Sequence, residues 1–235
     1  AMGYQGGVGA FVTFATAFGI DLEQLDADIP GDVWAEAENF YGWTLEQKRP
    51  TFGLSKKAFM TCDSLKRLWR RAHPKTEALW QWAEGSADSA VFSEGENFPF
   101  GKCVAIRKGN WLRIVLPSGR ALSYPAPRVE DGKISFMGLN QYSRKWQRLS
   151  TYGGKLVENM TQAVARDVFK SCYPRAIEAG YSIRLPIHDE LICYAPDGHE
   201  YGPDRLAGLM AHTPSWAPGL PLAAAGFEAH RYRKD

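Results

Sequence analysis

Three consecutive polar residues, His188-Asp189-Glu190, stand between two short apolar runs, Leu185-Pro186-Ile187 and Leu191-Ile192-Cys193-Tyr194. Neighbouring carboxylates suit a divalent cation, and a cation so held suits a phosphate. Asp is also a common turn residue, so the bare triplet equally describes a tight turn. A second set lies upstream: Lys155, Asn159, Gln162 and Arg166 recur at intervals of three and four, which on a helix makes a row of amide and cationic tips. Such a row suits the minor-groove edge of a duplex, where acceptors occur at every base pair. It also describes an ordinary solvated helix face. Acyl-transfer chemistry has no support, since no G-x-S-x-G or Cys/His signature is present.

These residues need elements to hold them. Ile183, Leu185 and Ile187 alternate with Ser182, Arg184 and Pro186, which predicts a strand, and the run from Leu191 to Tyr194 predicts its partner. A two-residue connection then places His188 and Asp189 at a hairpin tip. Pro186 lacks the ladder N–H, so the strand is expected to lie at an edge there. From Tyr152 to about Lys170 the spacing predicts a helix, with Leu156, Val157, Met160, Val164 and Val168 opposite the polar row.

Earlier in the chain, Gly3-Tyr4-Gln5-Gly6-Gly7-Val8-Gly9 reads as a turn feeding a helix with Phe11, Ala15 and Phe18 on one side. It invites a phosphate-loop reading, but a weak one, because no Gly-Lys-Ser/Thr follows, the G-x-G-x-x-G spacing fails and no strand precedes it. From Asp32 to about Val91 a run of helices is expected: Asp32 caps one carrying Val33, Trp34, Ala37 and Tyr41, Ser55 caps a second through Phe59 and Leu65 to Trp69, and Pro74 opens a third. Lys66, Arg67, Arg70, Arg71 and Lys75 form the densest basic cluster, which reads first as a solvated face. Glu94-Gly95-Glu96-Asn97 and Pro99 mark a connection. Short strands follow over Val104–Arg107, Trp111–Leu116, Ala121–Tyr124 and Ile134–Phe136, leading to Gln141-Tyr142-Ser143-Arg144-Lys145-Trp146. Helices first, then a small antiparallel sheet crossed by a long helix, is an α+β arrangement, with residues 1–93 helical and 94–235 carrying the hairpin.

At 235 residues, 45% of them hydrophobic, the chain is long enough for one large domain or two smaller ones with proper cores. A net charge of +2 does not by itself imply a polyanion partner, so any nucleic-acid contact must come from local patches. Cys62, Cys103, Cys172 and Cys193 show no C-x-x-C spacing, which fits neither a zinc site nor a disulfide framework and suits a reducing cytoplasm. No apolar run reaches membrane-spanning length and no signal-peptide pattern is present. Ala1-Met2 reads as a cloning remnant.

The Tyr152-Gly153-Gly154-Lys155-Leu156-Val157-Glu158-Asn159-Met160-Thr161-Gln162-Ala163-Val164-Ala165-Arg166-Asp167 stretch, followed by His188-Asp189-Glu190, resembles the closing third of a family A DNA polymerase, most closely of bacteriophage type. Gly3-Tyr4-Gln5-Gly6-Gly7 resembles the tail of that family's second conserved motif, Leu68-Trp69-Arg70-Arg71-Ala72-His73-Pro74-Lys75 its fingers, and Gly226-Phe227-Glu228 its ending. The resemblance implies a partial polymerase hand: a helical remnant of the fingers plus a palm with a small antiparallel sheet and a long packing helix. It implies DNA-directed nucleotidyl transfer by two magnesium ions, with Asp189 a metal ligand, Glu190 a weaker one and His188 beside the primer end. Lys155, Asn159, Gln162 and Arg166 would track primer-template DNA, and deoxynucleoside triphosphates would be the substrates.

The family's other metal aspartate is expected in a motif like Asp-Tyr/Phe-Ser-x-x-Glu-x-Arg, and Asp32-Val33-Trp34-Ala35-Glu36 does not match it. The basic residues that grip the nucleotide in relatives are likewise absent, so the chain alone is expected to be inactive without an N-terminal polymerase portion. A non-catalytic docking half of a split polymerase is the alternative, and an unrelated metal-dependent hydrolase a third reading.

Overall fold

The computed structural model describes residues 2–25 and 27–231. Its helices come first, as the spacing predicts: α1, Val8–Phe18; α2, Gly31–Glu46; α3, Lys56–Ala72; and α4, Pro74–Phe92. Ser55 caps α3 by accepting from the Ala58 N–H at 3.2 Å, and Pro74 occupies the first turn of α4, where its missing N–H costs nothing. Asp32 does not cap α2. That helix begins at Gly31, two residues earlier than such a cap implies, with Pro30 in the cap position, and the Asp32 carboxylate instead accepts from Arg71 at 2.7 Å. On α1, which ends at Gly19, Ala15 is buried while Phe18 is 68% exposed, its ring lying 4.5 Å from that of Phe14.

The basic cluster on α3 is largely an internal clamp. Lys66 and Arg67 both bind Asp63, whose side chain is wholly buried, and Arg67 and Arg71 reach across to Glu36 on α2 at 2.6 and 2.8 Å. Arg70 lies over the Trp80 ring at 5.7 Å, while Lys75 is exposed. Burial pushes the Lys66 ammonium below its ordinary value, with Asp63 acting in the other direction. Removing a buried carboxylate strands the two cations that share it, although side-chain exposures of 12% for Lys66 and 26% for Arg67 allow both to regain some water. Asp63→Ala should therefore destabilise the protein by about 3 kcal/mol, the low end for breaking a buried pair. Asp32→Ala, which removes a solvent-exposed pair, should move the urea midpoint little, so the two denaturation curves test the assignment together.

Strands begin at β1, Asn97–Phe100, where the sequence suggested only a connection. Pro99 sits opposite Val104 of β2, Cys103–Lys108, one step from the Phe100–Cys103 pair that flanks the two-residue turn. In such hairpins the flanking pair is hydrogen-bonded and the next is not, so the proline nitrogen faces away from the ladder on an edge strand. β3, Trp111–Val115, and β4, Ala121–Pro125, complete this sheet in the order β1-β2-β3-β4. A second sheet is formed by β5, Arg128–Glu130; β6, Lys133–Leu139; and β7, Trp146–Thr151. After α5, Gly153–Lys170, and α6, Tyr173–Glu178, the hairpin β8, Ser182–Ile187, and β9, Glu190–Tyr194, forms a third, and α7, Pro203–Met210, follows. The α+β class holds, but the expected single small sheet is three. Turn glycines and prolines interrupt the strand runs before any one ladder can grow.

Packing divides the chain into two compact units, Ala1–Ile114 with Ser123–Asn159, and Val115–Leu122 with Met160–Asp235. The change from helices to strands falls between Phe92 and Asn97. In the first unit, Trp80, Ala83, Ala87 and Ala90 of α4 are buried, and the three small alanines let the helix lie closely on β1 and β2. Val8, Ala15 and Leu22 pack with Phe59 and Cys62 of α3 in a separate cluster. Burial holds the Cys62 and Cys103 thiols up at about 11. In the second unit Cys172, Ala176 and Tyr181 are buried, with the Tyr181 hydroxyl donating to the Gly202 carbonyl at 3.1 Å. No described helix is long and apolar enough to cross a membrane.

Candidate nucleic-acid and metal site

The hairpin forms as the sequence predicts, with Ile187 opposite Glu190 and His188-Asp189 as the two-residue turn. His188 takes φ of 53°, the left-handed region that such turns require and that His tolerates better than most residues. His188, Asp189 and Glu190 are all exposed. Pro186 pairs with Leu191, again one step from the turn-flanking pair, so its nitrogen faces outward from a two-stranded sheet. The expectation of an edge at Pro186 is met.

The simple alternation along β8 does not survive. Ile183 pairs with Cys193 but Leu185 pairs with Ile192, so Arg184 is an extra residue, a β-bulge. Adjacent residues of β9 face opposite sides, hence Ile183 and Leu185 do too, and Leu185 is left 50% exposed. Arg184 lies over the Tyr194 ring at 4.9 Å.

The polar row on α5 is present, but its members have different surroundings. Leu156, Val157 and Ala163 are buried and Met160, Val164 and Val168 half-buried, so the packing side is close to the predicted one. Lys155, in the first unit, is exposed and paired with Glu158 at 2.8 Å. Asn159 is half-buried and donates from Nδ2 to the Tyr124 hydroxyl at 3.2 Å; burial raises that phenol, and the bond from Asn159 opposes the shift. Gln162 and Arg166, in the second unit, are exposed.

Three residues with no obvious sequence signal complete the surroundings. Within the second unit Arg120 pairs with Asp167 at 2.7 Å and donates to the Ala163 carbonyl at 3.0 Å, while Ser118 donates to Asp167 at 2.5 Å. Asp167 is thereby fully occupied in fixing the Leu116–Arg120 turn to α5. The separation of 47 residues between Arg120 and Asp167 conceals this from any local pattern.

The start of α5 is equally closed off within the first unit. The Gly153 N–H donates to Glu84 at 3.1 Å and the Gly154 N–H to Gln5 at 2.9 Å, so two backbone donors of the first turn find side-chain acceptors, one of them a carboxylate suited to the helix dipole. The Trp80 indole donates to the Gly3 carbonyl at 3.0 Å. Two stretches singled out separately in the sequence, Gly3–Gly7 and Tyr152–Gly154, are thus one packed structure.

The carboxylates of Asp189 and Glu190 have the hard oxygen donors magnesium prefers. Among the described residues no group of three or more His, Cys, Asp or Glu side chains is placed to hold a metal ion. Asp32 and Glu36, the nearest sequence look-alike of a second acidic motif, are engaged with Arg67 and Arg71.

Over 176 residues, 73% of its length, the chain is 36% identical to the DNA polymerase of Bacillus phage SP02, matching its C-terminal part. The match covers 27% of that polymerase, so the chain spans about a quarter of the length of the curated relative. No protein-family model matches the chain, and no solved structure matches it.

Proposed function

We infer that this homologue of a phage DNA polymerase supplies the C-terminal part of a template-directed DNA polymerase and is incomplete as a catalyst without acidic residues from elsewhere in the enzyme. The observation that carries this reading is the exposed hairpin tip, held by a ladder on both sides, in a chain related to that polymerase over most of its length. In this reading Asp189 and Glu190 present negative charge where nucleotide and primer meet, and His188 lies beside the primer end. Bound magnesium would supply Lewis-acid stabilisation of the phosphoryl transfer. Among the described residues the sheet has two strands, and β8 packs against α6.

Primer extension tests this directly. The purified chain alone should extend no primer in magnesium buffer, and mixing it with the N-terminal portion of the related polymerase should restore template-dependent incorporation of deoxynucleoside triphosphates. Extension by the chain alone would overturn the reading, as would an inactive mixture whose two parts demonstrably associate.

Lys155, Asn159, Gln162 and Arg166 are assigned in this reading to the primer-template duplex. In the reconstituted enzyme Arg166→Ala should weaken binding to every sequence and reduce the slope of log affinity against log salt by about one. Gln162→Ala should leave the slope unchanged and cost about 1 kcal/mol, the net worth of one hydrogen bond. Identical salt series for wild type and both variants would reduce the row to a solvated helix face.

A further inference from the structure

We propose that the tip of the β6–β7 hairpin in the first unit is a binding surface for single-stranded DNA, the unpaired template being the natural source within the function inferred above. The last cross-strand pair of the ladder is Leu139 with Trp146, and both are solvent-facing, 54% and 63% exposed. The six residues between them, from Asn140 to Lys145, form a loop that is nonetheless well specified. The Asn140 side-chain oxygen accepts from the Tyr142 and Ser143 N–H groups, both at 2.9 Å, while its own N–H donates to the Lys145 carbonyl and its carbonyl accepts from Arg144, again at 2.9 Å. Four bonds to one asparagine hold up a tip on which Tyr142 is 97% exposed.

Exposed aromatic rings on a rigid loop are unfavourable unless something covers them, and the charge around them selects the occupant. From Leu139 to Thr151 the chain carries Arg144, Lys145 and Arg148 and no Asp or Glu. On β7, Arg148 lies two residues from Trp146 and therefore on the same side of the strand. Arg148 is held there by its bonds to the Ala126 carbonyl and Ser135 hydroxyl, both at 3.1 Å. Aromatic rings interleaved with cations, Arg148 among them held in place, match bases that stack and phosphates that need neutralising. A duplex offers Tyr142 or Trp146 a free base face only at its two ends; an unpaired strand has one at every nucleotide.

The test uses the whole chain, a fluorescein-labelled oligothymidine and a blunt duplex of equal length, with anisotropy read across a salt series. Tyr142→Ala and Trp146→Ala should each weaken oligothymidine binding about tenfold and leave the salt slope alone, whereas the double variant Arg144→Ala, Lys145→Ala should reduce the slope by up to about two. Duplex affinity should respond much less to the two aromatic changes. Trp146→Phe, which keeps a ring, should retain most of the binding, separating stacking from disturbance of the hairpin. Unchanged oligothymidine affinity in both aromatic variants would overturn the proposal, and so would concentration-dependent dimerisation that they abolish, since the rings would then be a contact between copies. Because the hairpin carries no proposed catalytic group, its failure would leave primer extension by the reconstituted enzyme intact, while failure of the polymerase reading would show there first.

Discussion

Gly153→Ala should leave the first unit unable to fold stably, with a loss of about 4 kcal/mol or more, the exceptional end of single substitutions. A Cβ built on Gly153 would lie 2.0 Å from the Trp80 carbonyl oxygen and 3.2 Å from Glu84 Cβ. That oxygen belongs to the backbone of α4 beside a side chain only 1% exposed, so it cannot swing aside as a flexible tip would. Moving α5 away instead would break the bonds from Gly153 to Glu84 and from Gly154 to Gln5, and Gly154 is just as confined, 2.6 Å from the Tyr4 carbonyl. Gly85→Ala on α4 is the matched control. Gly85 meets nothing within 4 Å and is exposed in a helix interior, so the same substitution there should stabilise by about 1 kcal/mol. Urea denaturation followed by tryptophan fluorescence reads both, and equal midpoints for the two variants would show that the close approach at Gly153 is not real.

Asp189→Asn should lower primer extension by the reconstituted polymerase about 1,000-fold, equivalent to about 4 kcal/mol of barrier. The substitution preserves shape and removes only charge. Asn is as much at home in a turn as Asp, so the thermal midpoint of the chain should hardly change, and a fall in activity then reports the missing charge rather than a collapsed hairpin. Glu190→Gln should be milder, since Glu190 lies on the strand rather than in the turn. Near wild-type extension by both variants would remove the hairpin from the chemistry.

Much of the local structure was legible in the sequence because local chemistry decides it. The hydroxyl of Ser55, the ring of Pro74 and the two-residue gap between Ile187 and Glu190 each act within a few residues of themselves, and each produced the expected cap, helix start or turn. The 3.6-residue spacing from Leu156 to Val168 likewise set the packing side of α5 before any partner was known. The relationship to a phage DNA polymerase was readable for the same reason, through contiguous stretches such as Tyr152–Asp167 and His188–Glu190.

Tertiary structure decided what depends on a partner distant in sequence. Asp32 has the chemistry of a cap and the structure gives it to Arg71; Lys66 and Arg67 look like part of a solvated basic face and, bound to the buried Asp63, become a clamp that reaches Glu36. The bulge at Arg184 depends on register with β9, which no alternation within β8 can reveal. Gly153 and Gly154 could have been ordinary helix-start glycines. Only the arrival of Trp80, Glu84, Tyr4 and Gln5 at the same point makes them obligatory, because the energy of a close backbone approach belongs to both partners and is written in neither alone.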